Sequence, residues 1–373
     1  MKSKARPFLD FYETHEIIPT ELIIDDENLF FNQRNLLFQS LGIPPYFLAG
    51  KEILEVGPGT GQKVKHLLSL KPRSYTAVEN NPVSVNKTQK VLKETKTDVG
   101  CELIECNFLN YQSSRKFDFL IAELVIPTQT EPEKFIQKMI DLCNPGGLII
   151  FTCMDPIGIL PELLRRAIVL EEKLIGPDLI NSAQKIVDFF KIDLDSLEGM
   201  SRIRTDWAID QIIHPLVGNL LSISDAIKIM YPHGTFQGSN PRFVENYDWY
   251  KSKKISANGV NESADIEYWT KCHNLIDYRF TSRPRDVSFN KSMNKISNEI
   301  FAVTYLKKWN KNSHQQVLDK CRELQPFLAG CNQGTLESLS SFFDYWKTKD
   351  PKKLSYLRSW WGRTTNYISF VKN

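Results

Sequence analysis

The chain of 373 residues has few cysteines, and they form no pattern. The seven are scattered, with no C-x-x-C pair and no spacing typical of metal ligands. An odd, unpatterned count indicates free thiols in a reducing compartment rather than a disulfide framework. The sequence therefore predicts a cytoplasmic protein that needs no metal ion.

Long apolar runs and long basic runs are also missing. No window approaches 18 apolar residues, which argues against a membrane-spanning helix. Residues 1–7 are basic, but no apolar segment of a secretory signal follows them. The net charge is only +3 and no Lys/Arg stripe stands out, so the sequence gives no strong sign of a nucleic-acid partner. A composition of 42% hydrophobic and 24% charged residues is that of a globular protein.

A glycine-rich break after an apolar run is the main feature that the chain does contain. It reads Ile53-Leu54-Glu55-Val56-Gly57-Pro58-Gly59-Thr60-Gly61-Gln62. Glycine permits positive φ and has no Cβ, so backbone N–H groups can approach a ligand closely. The helix that follows presents its N-terminal N–H groups to the same crevice. This pattern predicts a buried strand, a sharp turn and a helix, where open α/β sheets bind nucleotide-like ligands.

The glycine spacing separates two classes of ligand. A dinucleotide fingerprint, G-x-G-x-x-G, would need its third glycine at position 62, which is Gln. The pattern E-x-G-x-G-x-G instead resembles motif I of class I S-adenosylmethionine (SAM)-dependent methyltransferases. The resemblance implies a Rossmann-like α/β fold with a seven-stranded, mostly parallel sheet and large helical insertions. It also implies that SAM is the cofactor, and that its methionine end lies over Glu55, Gly57, Pro58, Gly59, Thr60 and Gly61.

The next strands end in polar residues at the spacing that this family shows. The strand 75–78 ends in Glu79, about 20 residues past the glycine turn, where an acid accepts hydrogen bonds from both ribose hydroxyls. The resemblance assigns that ribose contact to Glu79, with Asn80 beside it. After the third strand it assigns adenine contacts to Asn107, which keeps an acceptor oxygen in place of the family's acid, and to Phe108. A solvated loop acid at Glu79 and a core role for Phe108 remain as alternatives.

The fourth predicted strand, 117–122, is apolar enough to be buried on both faces. It ends in Glu123-Leu124-Val125-Ile126-Pro127, the segment where this family begins to meet the methyl acceptor. We therefore include Glu123 among the cofactor-side candidates. Family members that methylate amino groups of bases or glutamine often carry Asp/Asn-Pro-Pro-Tyr/Phe here. Because this chain does not, its sequence disfavours those acceptors.

The remaining pattern predicts one α/β domain with helical additions. Strands alternate with helices, which is the βαβ rhythm of a parallel sheet. We expect residues 1–50 to be a helical lead-in or lid and 51–154 the SAM-binding core. Residues 155–232 are predicted to be a helical insertion that caps the acceptor. Residues 233–373 would complete the core sheet, add a second helical insertion and end in the antiparallel last strand of this family.

Three residues are the candidates for chemistry at the acceptor. His214 and His233 each lie beside a predicted element boundary near the crevice, and either could serve as a general base for an oxygen nucleophile. Arg242 follows the predicted sixth strand, where it could pair with a phosphate or carboxylate of the substrate. Structural histidines, and a structural salt bridge for Arg242, remain as alternatives.

The acceptor itself follows only from a looser resemblance. Residues 34–42, the Leu-Glu-Val-Gly-Pro-Gly turn, and Asn-Pro-Arg-Phe with Trp249-Tyr250-Lys251 resemble bacterial methyltransferases associated with surface-polysaccharide assembly. We therefore expect a small-molecule or sugar-type acceptor, methylated by in-line displacement. Open alternatives are a lipid, peptide or RNA acceptor, an NAD(P)-binding Rossmann oxidoreductase, and a non-catalytic SAM-binding scaffold. The sequence determines neither the acceptor atom nor the oligomeric state.

Overall fold

A computed structural model describes residues 11–12, 14–15, 17–18, 21–214, 216, 218–245, 259–329 and 332–373. Trp249-Tyr250-Lys251, which contributed to the polysaccharide resemblance, lie outside the described residues. The chain forms two compact units. The first comprises Met1–Cys153, Leu221–Tyr268 and Thr365–Asn373, and the second comprises Met154–Leu220 and Trp269–Thr364.

The first unit is built on a seven-stranded sheet. Its strands are β1 (Glu52–Val56), β2 (Ser74–Glu79), β3 (Gly100–Glu105), β4 (Phe117–Ala122), β5 (Cys143–Met154), β6 (Gly234–Asn240) and β7 (Thr365–Lys372). Their order is β3-β2-β1-β4-β5-β7-β6. All pairs from β3 to β5 are parallel, whereas β6 and β7 are antiparallel. The predicted fold class is therefore confirmed.

From residue 27 onwards, the described residues form thirteen α-helices. They are α1 (Glu27–Ser40), α2 (Val64–Ser69), α3 (Pro82–Glu94), α4 (Pro132–Leu142), α5 (Leu160–Glu171), α6 (Leu179–Phe189), α7 (Lys191–Asp195), α8 (Arg204–Trp207), α9 (Ile223–Met230), α10 (Val260–Lys271), α11 (Val287–Phe301), α12 (Ser313–Leu328) and α13 (Gln333–Thr348). Two continue as π-helical turns, α8 through Ala208–Ile213 and α11 through Ala302–Leu306.

Local sequence signals account for the elements around β1. Ile53 and Leu54 on β1, and Phe119 and Leu120 on β4, are completely buried, as expected for parallel strands covered on both faces. Asn81 caps α3 by accepting a hydrogen bond from the Val83 N–H at 2.9 Å, and proline occupies the first helical position. The predicted helix start at Asn81-Pro82 is therefore confirmed.

The direction of β6 follows from contacts of the last strand. Lys372, at the end of β7, donates through Nζ to the Cys143 carbonyl at the start of β5, at 2.9 Å. Gly234, at the start of β6, pairs with Lys372. Hence β7 is antiparallel to β5, and β6 points in the same direction as β5. The predicted antiparallel last strand is confirmed. The start of β6 lies beside the amino-terminal ends of the parallel strands.

The second unit is organised around a buried arginine on α5. Arg165 is fully buried and donates to the Asp193 carboxylate at 3.0 Å. It also donates to the carbonyls of Trp360 at 3.0 Å and Leu357 at 3.1 Å. These bonds join two segments far apart in sequence. The helices predicted as two separate insertions, in 155–232 and 233–373, thus share one compact unit, and α9 belongs to the first unit instead. No described helix is long and apolar enough to span a bilayer.

Gly238 is a close-packing point in the first unit, at an irregularity in the β6–β7 register. A Cβ at Gly238 would lie 2.7 Å from the carbonyl carbon of Leu41 and 2.9 Å from its Cα. Because backbone atoms cannot move aside, we expect Gly238→Ala to lower the unfolding free energy by about 1–3 kcal/mol. Gly100→Ala is the control, since its Cβ would meet nothing within 4 Å. Equal urea midpoints for the two variants would contradict this interpretation.

Candidate functional site

The predicted glycine turn follows β1. Gly57, Gly59 and Gly61 have φ of +70°, +61° and +76°, in the left-handed region that favours glycine. A Cβ on Gly57 would lie 2.5 Å from Cγ2 of Val125, and one on Gly61 would lie 3.0 Å from Cα of Thr88. Both backbone angle and space therefore require glycine at these two positions. Pro58 and Thr60, between the glycines, are buried.

Glu79, the last residue of β2, is bonded directly to this turn. Its Oε2 accepts from the Gly59 N–H at 3.1 Å, while Oε1 accepts from the Asn80 and Asn81 N–H groups at 2.8 and 2.9 Å. Burial raises the pKa of Glu79 above its usual value, although these three amides act in the opposite direction. Each carboxylate oxygen has two lone pairs, so Oε2 retains capacity for a further donor.

The neighbouring amide side chain has unused capacity as well. Nδ2 of Asn80 is buried and has no hydrogen-bond partner among the residues that the structure describes. A buried amide N–H without a partner costs free energy, so such groups normally find an acceptor. An accepting Glu79 and a donating Asn80, beside a turn rich in backbone N–H groups, match the hydroxyls and ring nitrogens of a nucleoside.

The predicted adenine contacts have local structural partners. Oδ1 of Asn107 caps the turn Phe108–Asn110 by accepting from the Leu109 N–H at 2.9 Å. Phe108 is buried, and its ring centroid lies 4.6 Å from that of Phe135. Packing and capping account for both side chains without a ligand. Their contact with adenine stays a prediction.

Gln62, which stands where a dinucleotide fingerprint needs glycine, binds the segment before α1. Its Nε2 donates to the Leu22 carbonyl at 2.7 Å, and its Oε1 accepts from the Leu22 N–H at 2.8 Å. Thr60 Oγ1 also donates to Oε1, at 3.1 Å. An ion pair of 2.7 Å between Lys87 and Glu21 lies beside this contact. The segment before α1 is thus attached to the glycine turn and to α3.

Glu123 follows β4 and accepts hydrogen bonds from three side chains. Both terminal nitrogens of Arg34 on α1 bind it, and so does Nζ of Lys63. The Tyr367 hydroxyl on β7 donates to Oε2 at 3.1 Å. Burial alone would raise the pKa of Glu123, but Arg34 and Lys63 outweigh it and lower that pKa to about 2. Glu123 is therefore ionised near neutral pH, and a carboxylate of such low pKa is a weak general base.

The partners of Glu123 were not predicted from the sequence. Lys63 could have been suspected, because it is a basic residue directly after the glycine turn. Arg34 lies 89 residues before Glu123 and Tyr367 lies 244 residues after it, so no local pattern connects them. Two cations against one carboxylate leave the cluster with one net positive charge. Direct binding of the cofactor by Glu123 stays a prediction.

Glu55, the acid of the motif, is directed towards β2. It is buried and accepts a hydrogen bond of 2.6 Å from the Tyr75 hydroxyl. Burial raises the pKa of Glu55 to about 7, while the Tyr75 hydrogen bond acts to lower it. The side chain is thus partly protonated near neutral pH. Its predicted contact with the cofactor has no counterpart among these bonds and stays a prediction.

His233, one of the three acceptor-side candidates, does not lie at the glycine turn. His233 directly precedes β6, at the amino-terminal ends of the parallel strands. Its carbonyl accepts from the Asn373 N–H at 3.0 Å. The glycine turn and Glu79 lie at the opposite, carboxyl-terminal ends of the parallel strands. The expectation that His233 lies near the crevice is therefore wrong, because β6 runs in the same direction as β5.

Arg242 and His214 have other surroundings. Arg242 donates to the carbonyls of Gln39 at 3.0 Å and Ser40 at 3.3 Å, at the end of α1, where a cation is favourable. This helix-capping role differs from the predicted anion contact. His214 belongs to the second unit, where its side chain is fully buried. Its role as a base stays a prediction. Among the described residues, no group of three or more His, Cys, Asp or Glu side chains is placed to hold a metal ion.

Replacing Glu55 with glutamine tests its protonation. The folded pKa of about 7 exceeds the usual 4.5, so the stabilisation from protonated Glu55 is complete below pH 4.5 and is lost as the pH rises through 7. Between these values we expect wild type to lose about 3 kcal/mol of unfolding free energy relative to Glu55→Gln. Urea unfolding of both proteins across this range measures the difference. A difference that does not vary with pH would contradict the assignment.

Replacing Gln62 with alanine tests the attachment of the lead-in. Two hydrogen bonds of about 1 kcal/mol each correspond to roughly thirtyfold faster exchange of the Leu22 amide hydrogen. Hydrogen exchange followed by NMR measures this rate. Gln33→Ala is the matched control, because Gln33 is an exposed glutamine on α1. Unchanged exchange at Leu22 in Gln62→Ala would show that the pairing does not hold the segment.

Comparisons with known proteins agree with this geometry. Residues 48–198 match the model of a family described as a methyltransferase domain. The malonyl-[acyl-carrier protein] O-methyltransferase of Haemophilus ducreyi is 23% identical over 107 residues, which are 28% of this chain and 42% of that relative. The chain thus matches less than half of that relative's length.

Two solved structures are similar over part of the chain. One is the N-methyltransferase NodS from Bradyrhizobium japonicum with S-adenosyl-L-homocysteine, at 19% identity and a TM-score of 0.32, covering 39% of this chain and 74% of that one. The other is the CcbJ methyltransferase from Streptomyces caelestis, at 19% identity and a TM-score of 0.30, covering 34% and 53%. The family match covers less than half of the chain and includes the glycine turn and Glu79. With the strand order, it supports the class I SAM-dependent methyltransferase superfamily for this part of the chain.

Proposed function

We propose that the chain transfers the methyl group of SAM to a small-molecule or sugar-type acceptor by in-line displacement. The observation that carries the proposal is the hydrogen bond of 3.1 Å between the Gly59 N–H and the Glu79 carboxylate. This bond supports the proposal because it holds a carboxylate, which can accept from ribose hydroxyls, against the turn that the family uses for the methionine end of SAM. The dinucleotide alternative loses support because position 62 holds a glutamine that binds Leu22 rather than the required glycine.

The residues around the turn fit this cofactor. Glu79 would accept from the ribose hydroxyls, and the unpartnered Nδ2 of Asn80 would donate to an oxygen or ring nitrogen of the nucleoside. The net positive cluster of Arg34, Lys63 and Glu123 lies at the carboxyl end of β4. Bound SAM supplies a methyl group already activated on a sulfonium. The chain then has chiefly to orient the nucleophile and exclude water.

A hydroxyl acceptor would need a general base. Glu123 is a weak base because of its low pKa and its four hydrogen bonds, and His233 lies at the opposite ends of the strands, so a hydroxyl acceptor at the glycine turn would need its base from another residue. The relative from H. ducreyi is named for O-methylation, which makes an oxygen nucleophile the first acceptor atom to test. The looser sequence resemblance to enzymes of surface-polysaccharide assembly supports a sugar-type hydroxyl within that class.

Calorimetry with SAM on wild type and Glu79→Ala tests the cofactor assignment. We expect wild type to bind SAM and the variant to lose about 1.5–3 kcal/mol, because a charge-assisted hydrogen-bonding partner is removed. Glu105→Ala is the matched control, since Glu105 ends β3, pairs with Glu79 in the sheet and is exposed. Binding of NAD in place of SAM, or equal affinities for the two variants, would overturn the proposal.

Methyl transfer itself needs a second assay. We expect incubation of the chain with methyl-labelled SAM and a small-molecule extract to label a sugar-type product, and Glu79→Ala to label it at least about tenfold more slowly at limiting SAM. Label in a lipid, peptide or RNA fraction would replace the acceptor class. SAM binding without any labelled product across these fractions would favour a non-catalytic scaffold.

A further inference from the structure

The second unit contains a groove between α12 and α13 that the methyltransferase assignment does not explain. Its volume is about 550 Å³. Helical spacing brings His314, Leu318 and Arg322 to it from α12, and Phe343 and Lys347 from α13. We propose that this groove binds a small organic anion through phosphate or carboxylate oxygens. The proposal is independent of the methyl-transfer site.

Two buried nitrogen atoms, on side chains that line the groove, have no hydrogen-bond partner within the described part of the chain. Trp346 is only 8% exposed, and its Nε1 has no hydrogen-bond partner among the described residues. An indole N–H can only donate, so it needs an acceptor. Nδ1 of His314 is likewise buried without a partner in that part of the chain. The imidazole stacks on the Trp346 ring at 5.6 Å with an interplanar angle of 12°. A ligand with acceptor oxygens would satisfy the indole N–H, and also Nδ1 of His314 in the tautomer that carries the proton there.

The charges that line the groove also favour an anion. Arg322, Lys347 and Lys349 are cationic, whereas Glu171 and Asp344 are the acidic lining residues. Glu171 is already engaged, because it accepts from the Trp309 Nε1–H at 3.1 Å and pairs with Lys349 at 3.4 Å. The three cations exceed the two carboxylates of the lining by one charge. Arg322 pairs with Asp319 at 2.5 Å, and Lys347 lies 3.9 Å from Asp344. Both pairs are exposed, and such pairs are weak, so an anion can compete for these cations.

Lys349 provides a further sign of a ligand role. It caps the end of α13 with φ of +56°, a conformation in which glycine is preferred. Its Nζ lies 3.9 Å from the centre of the Trp346 ring. The ion pair with Glu171 is partly exposed, and such pairs stabilise folded proteins only weakly. A lysine at this backbone position therefore points to a use for its ammonium group over the indole.

Titration of the full chain with pyrophosphate, and separately with citrate, tests the proposal by calorimetry. We expect one of the two probes to bind, and the one that binds tells whether phosphate or carboxylate is recognised. Lys349→Gly should weaken that binding at least about tenfold, because a contacting charge is lost. It should not lower the urea midpoint, since glycine relieves the left-handed backbone. Trp346→Phe, which keeps an aromatic ring but removes the indole N–H, should also weaken binding.

The matched control is Lys173→Gly. Lys173 is also left-handed, with φ of +53°, but does not line the groove. Unchanged affinity in this control, with loss in Lys349→Gly and Trp346→Phe, would support the site. Failure of wild type to bind either probe would overturn the proposal. Equal affinities of wild type, Lys349→Gly and Trp346→Phe, or equal losses in Lys173→Gly and Lys349→Gly, would overturn it as well.

Discussion

The buried carboxylate of Glu123 is the interaction on which the arrangement around the glycine turn depends. It joins α1 through Arg34, the start of α2 through Lys63 and the last strand through Tyr367. Removing one partner of a buried ion pair leaves an uncompensated charge, which typically costs about 3–5 kcal/mol. The helix before the core, the helix after the turn and the end of the chain are therefore stabilised together.

The N-terminal lead-in is attached to the same region at several further points. Gln62 pairs with the Leu22 backbone, and Lys87 pairs with Glu21. At the other end of α1, Arg242 binds the last carbonyls of the helix. The glutamine that departs from the dinucleotide-binding motif thus attaches the segment before α1 in this chain. Arg242, which the sequence indicated as a substrate contact, has a structural role at the end of α1.

Local chemistry explains which parts of the site were predictable. The glycine turn and Glu79 are encoded within about 25 consecutive residues, as expected for a ligand site built on one βαβ unit. Asn81 and Pro82 likewise marked the start of α3. The sequence could not identify the raised pKa of Glu55 or the lowered pKa of Glu123, because burial and distant partners cause those shifts.

The sequence by itself determined the fold class, the strand–turn–helix motif and the carboxylate at the end of β2, because these depend on hydrophobic period, backbone conformation and short spacing. Tertiary structure alone decided that His233 lies at the amino-terminal ends of the parallel strands, since the direction of β6 depends on its pairing with β7. It also decided that Arg34, Lys63 and Tyr367 meet at Glu123, and that Arg165 unites the two predicted insertions. Contacts between residues far apart in sequence leave no periodic signal, so only the folded chain reveals them.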